Sequence, residues 1–345
     1  MKTSAWASFW IVAFIWGSSF LLIRVGVSGV SATQVVFTRT IIAAVCLTIL
    51  AYSRGLRFPT QWKIIRPLII LGIGNVTIPY TLISLGEQVI TSGMAAVLQA
   101  TAALFGLVIA HFAFADERIT SRRILGLAVG FSGVFLLSAD AIAPQATSAF
   151  ASLFLSLTYP AFVNPLAGLS LDVPFLLGQL AIVLASLCYA LSTTYSRKVM
   201  AHHKLPPLIT STSTFVVGAS SALVLMIIEP LLGGRAFTAY TELDNDVLFA
   251  ILGLGFVNTF IAYTFFYYII KELGAFRATM VTYVVPAVGL ILGWLILNEK
   301  VSITMFLGAG LIFVGIGIIN IKLKLLFNRP EPIITPSATL STERI

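Results

Sequence analysis

The chain has 345 residues, of which 58% are hydrophobic and only 10% charged, and its mean hydropathy is +1.00. A soluble domain carries about 25% charged residues, so this sequence lacks the polar surface that would coat a water-soluble particle. The net charge of +8 suggests nucleic acid at first, but the placement of the positive charges explains it without one.

Apolar runs of about 20 residues recur along the whole length, and each is enough to cross roughly 30 Å of hydrocarbon. Inside lipid a segment must satisfy its own backbone amides, which helices do. The expected fold class is therefore all-α and polytopic. Lys2 precedes a first apolar helix over roughly Ala5 to Ile23. A cleaved leader is the competing reading there, but Ile15 to Arg24 (IWGSSFLLIR) is echoed by Cys188 to Arg197 (CYALSTTYSR), which favours a retained segment. Further spans are predicted near 32–53, 65–85, 92–114 and 124–139. Residues 140–174 form an odd connection with four prolines, no lysine or arginine, and an apolar core too short for a full span. The remaining spans fall near 175–196, 207–228, 247–270, 275–297 and 303–321, before a polar tail with Pro330, Pro332 and Pro336.

Charge placement supports ten spans. With the N-terminus in the cytoplasm, 17 of the 21 Lys and Arg residues collect in cytoplasmic loops and termini; Arg24, Arg235 and Lys300 fall outside, and Arg39 lies within a span. An eleventh span at 140–174 would move Arg197, Lys198, Lys204, Lys271 and Arg277 to the wrong side. The predicted organisation is a first unit over 1–139, an extracytoplasmic connection over 140–174, a second unit over 175–321 and a cytoplasmic tail over 322–345.

The two units are copies. Glu117 matches Glu299, Leu125 matches Leu307, Gly126 matches Gly308, Phe131 matches Phe313 and Gly133 matches Gly315, all at one offset. Five spans is an odd number, so the second copy enters the membrane in the opposite sense. Inverted repeats of this kind characterise secondary transporters. Gly126, Gly130 and Gly133 are spaced for close helix approach, within the monomer or at a homodimer seam.

Polar residues in spans are costly and usually face a bundle interior or cavity. The candidates for a substrate cavity are Trp16, Ser19, Asn75, Gln99, Thr101, Tyr189, Asn258, Tyr263 and Tyr283, each weighed against simple interhelical hydrogen bonding. Arg39, Glu87 and His111 are the candidates for charge or coupling roles. Arg39 reads either as an attractor of a substrate carboxylate or phosphate, or as a structural arginine paired with Glu87. No Asp or Glu sits at mid-span, which favours neutral or zwitterionic solutes. Cys46 and Cys188 lie singly within spans and read as packing residues; His202 and His203 lack metal-ligand spacing, and no metal or cofactor is expected.

In WGSSF at Trp16 to Phe20, Arg39 in VVFTRT, GEQVITSGMAAVLQAT at Gly86 to Thr101, DERITSRRILGLAVGFSGV at Asp116 to Val134 and PAVGLILGWLILNE at Pro286 to Glu299, the chain resembles the drug/metabolite transporter superfamily, within it the ten-span EamA-type permeases. The resemblance implies two inverted five-helix repeats and a central substrate cavity. The chain departs from the pattern at Ala103, where the fourth span usually has a proline while its counterpart Pro286 is kept, and in the length of 140–174.

No HExxH, GxSxG or phosphate-binding loop is present, so an enzyme is not expected. The expected function is secondary transport of small metabolites, amino acids or related polar compounds, in the direction of export and across the inner membrane. Uptake, and a non-transporting membrane sensor or assembly partner, are the alternatives. The expected partners are a small-molecule substrate and the lipid bilayer, with no nucleic acid.

Overall fold

A computed structural model describes residues 2–113, 119–142, 173–273, 278 and 280–320. The connection over 143–172, the polar tail, and Asp116 and Glu117 lie outside the described residues. Among the described residues ten helical rods follow one another: α1 (Lys2–Gly29), α2 (Ala32–Ser53), α3 (Trp62–Gly86), α4 (Ser92–Ala113), α5 (Ser121–Ile142), α6 (Val173–His203), α7 (Pro207–Ile228), α8 (Asn245–Leu273), α9 (Val281–Leu297) and α10 (Ile303–Asn320). Seven of these are long and apolar enough to cross a membrane by length and composition, and α9 and α10 are shorter apolar helices.

The local signals that delimit the rods are conventional. The Ser31 hydroxyl accepts the Gln34 N–H at 3.2 Å to start α2, and the Thr91 hydroxyl accepts the Met94 N–H at 3.3 Å to start α4. Asn298, at φ 52°, ends α9 in the left-handed region. Several rods outrun the apolar windows of the sequence. At 31 residues, α6 is roughly 46 Å long at 1.5 Å per residue, because helical hydrogen bonding continues into the polar residues where the apolar run stops.

Packing follows the duplication. The principal contacts are α1 with α9 and α6 with α4, then α3 with α6 and α8 with α1, then α3 with α7 and α8 with α2. Three more pairs, α2 with α7, α4 with α9 and α5 with α10, are their own counterparts. Exchanging α1–α5 for α6–α10 returns the same principal pairs, which is the signature of a two-fold relation between repeats. Two ends of the bundle result. The junction end carries Gly29, Gly86, Ser92, Val173 and Leu297; the basic end carries Arg54, Arg57, Lys63, Arg66, Arg197, Lys198 and Lys204.

The α5–α10 contact is made backbone against backbone. A Cβ on Gly133 would stand 2.6 Å from the Gly308 carbonyl oxygen, and one on Gly315 would stand 2.6 Å from both the Gly126 carbonyl and the Gly130 nitrogen. The glycines noted in the sequence are thus spent within one chain, on the seam between the last helices of the two repeats. Such approach favours van der Waals packing, the main source of helix association where lipid is as apolar as the side chains. Gly133→Leu is expected to lower stability by about 1–3 kcal/mol through overpacking, while Gly310→Ala, where a Cβ would meet nothing within 4 Å, leaves it unchanged; thermal unfolding in detergent measures both.

Candidate functional site

Two helices depart from α geometry at corresponding places. α3 contains a π-helical stretch over Ile73–Thr77, and α8 contains one over Phe256–Ile261. In each a threonine hydroxyl donates to the carbonyl five residues back: Thr77 to Gly72 at 3.4 Å and Thr259 to Leu254 at 2.8 Å. A π turn re-aims the side chains that follow it and is frequent at functional sites. Here each turn is followed closely by a tyrosine, Tyr80 and Tyr263, and the two come near enough to interact.

Around these tyrosines the rings form a continuous chain. Trp16 stands 5.7 Å from Tyr263 and 4.9 Å from Phe266; Tyr263 stands 5.2 Å from Phe215; Phe215 and Tyr189 each stand 6.4 Å from Tyr80. The contacts are mostly tilted or edge-on, as the ring quadrupole favours. Arg39 of α2 enters this ring set: its Cζ lies 4.1 Å from the Tyr80 centroid, and its Nε–H donates to Thr259 Oγ1 at 2.9 Å. Arg39 is 8% exposed. Trp16, Tyr189 and Tyr263 are only half-buried and keep part of their ring surface accessible.

The junction end is tied by polar contacts. Glu299 accepts the N–H groups of Ser92 and Gly93 at 2.8 and 3.0 Å and the Ser92 hydroxyl at 3.0 Å, placing a carboxylate on the positive N-terminus of α4. Gln34 exchanges two hydrogen bonds with the backbone of Thr238, and the Arg24 guanidinium donates to the Glu87 carbonyl. Glu87, one residue past the end of α3, is fully buried, and neither carboxylate oxygen has a hydrogen-bond partner. Burial, reinforced by the Glu299 carboxylate, holds its pKa well above the usual 4.5 against the opposing charges of Arg24 and Arg39. Beside it an open cleft of about 430 Å³ is lined by Arg24, Val27, Ser28, Gln88 and Arg235.

Of the residues singled out by sequence, Trp16, Arg39, Tyr189 and Tyr263 meet in the ring cluster. Asn75 lies half-buried in the α3 π turn, Gln99 half-buried where α4 is interrupted at Ala100, and Tyr283 half-buried on α9. Others have hydrogen-bond partners on their own or a neighbouring helix. Thr101 is fully buried with its hydroxyl donated to the Leu98 carbonyl at 2.7 Å. The Asn258 amide nitrogen is spent on α1, at the Ile15 carbonyl, Ser18 Oγ (3.0 Å) and Ser19 Oγ (3.1 Å), which also accounts for Ser19. His111 accepts the Ile119 N–H at 3.0 Å and ties the α4–α5 connection. The suggested Arg39–Glu87 pair is not formed, because Arg39 turns to Thr259 and Tyr80 while Glu87 stays unpartnered. Tyr80 and the helix-capping role of Glu299 are the additions, whereas Thr259 already stood among the polar residues within spans; the Tyr80–Tyr263 correspondence between repeats was the available signal for the first.

The fold and site define a polytopic, inverted-repeat membrane protein with a polar-aromatic centre. The model of the EamA-like transporter family matches residues 4–139 and 176–321, and the chain belongs to that family. It is 26% identical to an uncharacterized transporter of Archaeoglobus fulgidus over 90% of this chain and 98% of that protein. It is 24% identical to a protein of Escherichia coli K12 named "Probable amino-acid metabolite efflux pump", over 89% of this chain and 91% of that protein. A solved crystal structure, 15% identical, aligns with a TM-score of 0.57 over 92% of this chain and 96% of its own, which shows the shared fold.

The Glu87 environment predicts a pH dependence. The folded chain holds a proton that the unfolded chain has lost above 4.5, so this contribution to stability is complete below that value and falls as pH rises toward the displaced pKa. Thermal midpoints of the purified protein measured from pH 5 to 8 should decline more steeply for the wild type than for Glu87→Gln. Glu299→Ala, which strands two backbone donors, should cost about 1–3 kcal/mol in the same measurement.

Proposed function

We propose that this transporter-family protein exports small metabolites, amino acids or related polar compounds, by alternating access, with its basic end and both termini in the cytoplasm and its junction end outside the inner membrane. The observation that carries the reading is the two-fold exchange of helix contacts around a polar-aromatic centre. Two related halves supply two conformations of similar energy, one open to each side. The name of the Escherichia coli relative supports the substrate class and the direction, and the excess of Lys and Arg at one end supports the orientation.

Purified protein in liposomes should drive efflux or counterflow of one or more members of an amino-acid panel, assayed with and without a pH gradient. Absence of substrate-dependent flux in either direction overturns the reading. Tyr263→Ala, which opens the centre of the ring chain, should lower that flux at least about tenfold, equivalent to roughly 1.4 kcal/mol in the barrier. Asn258→Ala should instead lower the thermal midpoint, since its amide fastens α8 to α1.

A further inference from the structure

Arg39 is a guanidinium in the interior of a membrane-spanning bundle, and its partners leave it a cation. Tyr80 offers a ring face and Thr259 a neutral hydroxyl. Both soften desolvation without cancelling the charge. Among the described residues no carboxylate stands within ion-pair distance of it. Glu87 does not reach it, its carboxylate oxygens having no hydrogen-bond partner, and Glu299 is committed to the start of α4. A desolvated charge without a counter-ion is costly, and the missing charge is an anion's.

The surroundings narrow which anion. The rings of Trp16, Tyr189 and Tyr263, each half-buried, continue the aromatic chain from the Tyr80 face on which Arg39 lies. A fixed positive charge at Arg39 attracts anions and repels amines. A single guanidinium with one position already used suits a monoanion, whose two oxygens match the planar fork, better than a phosphate dianion.

We propose that Arg39 anchors the carboxylate of a solute whose aromatic or apolar body lies against Trp16, Tyr189 and Tyr263. The proposal rests on the transporter reading and gives that site its substrate class: carboxylates and zwitterions are accepted, and amines without a carboxylate are refused. Arg39 then determines specificity by charge and the rings by shape.

The test compares compounds of one shape and different charge. Equilibrium binding of radiolabelled phenylalanine to the purified protein is competed with phenylacetate, phenylalaninamide, phenethylamine and phenyl phosphate, and the same compounds are assayed for flux in liposomes. Phenylacetate and unlabelled phenylalanine should compete, with the amide and the amine weaker by about 30-fold or more, as expected for loss of one member of a buried charge pair. Arg39→Gln should abolish the discrimination and Arg39→Lys should retain part of it. If Arg39→Gln fails to fold, the wild-type comparison decides alone. Amide or amine competing as well as the acid, tighter binding of phenyl phosphate, or no carboxylate binding at all overturns the proposal. Flux indifferent to the carboxylate removes this proposal and leaves transport standing; selective carboxylate binding without flux does the reverse.

Discussion

The arrangement turns on one guanidinium held between a tyrosine face and a threonine hydroxyl. Arg39 is placed by α2, Tyr80 by α3 and Thr259 by α8, so a single polar contact set joins both repeats at the centre of the bundle. Neither partner is in register by ordinary helix geometry. Thr259 lies in the α8 π turn and Tyr80 follows the α3 one, and each extra-wide turn is steadied by a threonine hydroxyl bonded five residues back. Local distortion of two helices thus creates the polar centre, and the aromatic chain from Phe266 to Tyr189 encloses it.

The two-fold relation explains how such a centre is supported and where it is uneven. The α5–α10 glycine seam brings two backbones together at the outer margin of each repeat, while the helices around the site exchange partners in matched pairs. The symmetry fails in α4 and α9, where the sequence departs from a matched pair of prolines. Pro286 sits within α9, which runs unbroken from Val281 to Leu297, whereas α4, with Ala103 where a proline was expected, is interrupted at Ala100. The capped N-terminus of α4 and its interruption enclose a short, largely buried helix, Ser92–Gln99, fastened to the second repeat by Glu299.

Hydropathy, the positions of Lys and Arg and the one-offset repeat made the fold legible, because bilayer thickness and backbone satisfaction leave few solutions for such a chain. The site was legible in part. Arg39, Trp16, Tyr189 and Tyr263 stand out as polar or aromatic residues inside spans; Tyr80 was not among them, and the structure puts it under Arg39. Thr101 and Asn258 were singled out as polar residues inside spans, and the sequence does not show their partners, the Leu98 carbonyl and α1. A threonine can return its hydroxyl to its own helix, and an asparagine can bind a neighbouring helix, without any trace in composition. The π turns have no sequence signature of their own, so the contacts they create were hidden as well.

The most direct measurement is of distances at the two ends of the bundle. Spin labels at Gln88 and Lys300, exposed at the junction end, and at Arg57 and Lys204, exposed at the basic end, can be read by pulsed electron resonance in nanodiscs, with and without a transported carboxylate. The account predicts two distance populations at each end, whose ratio shifts on adding the solute, lengthening at one end as the other shortens. A single unchanging distance at both ends in a preparation that shows flux would contradict it.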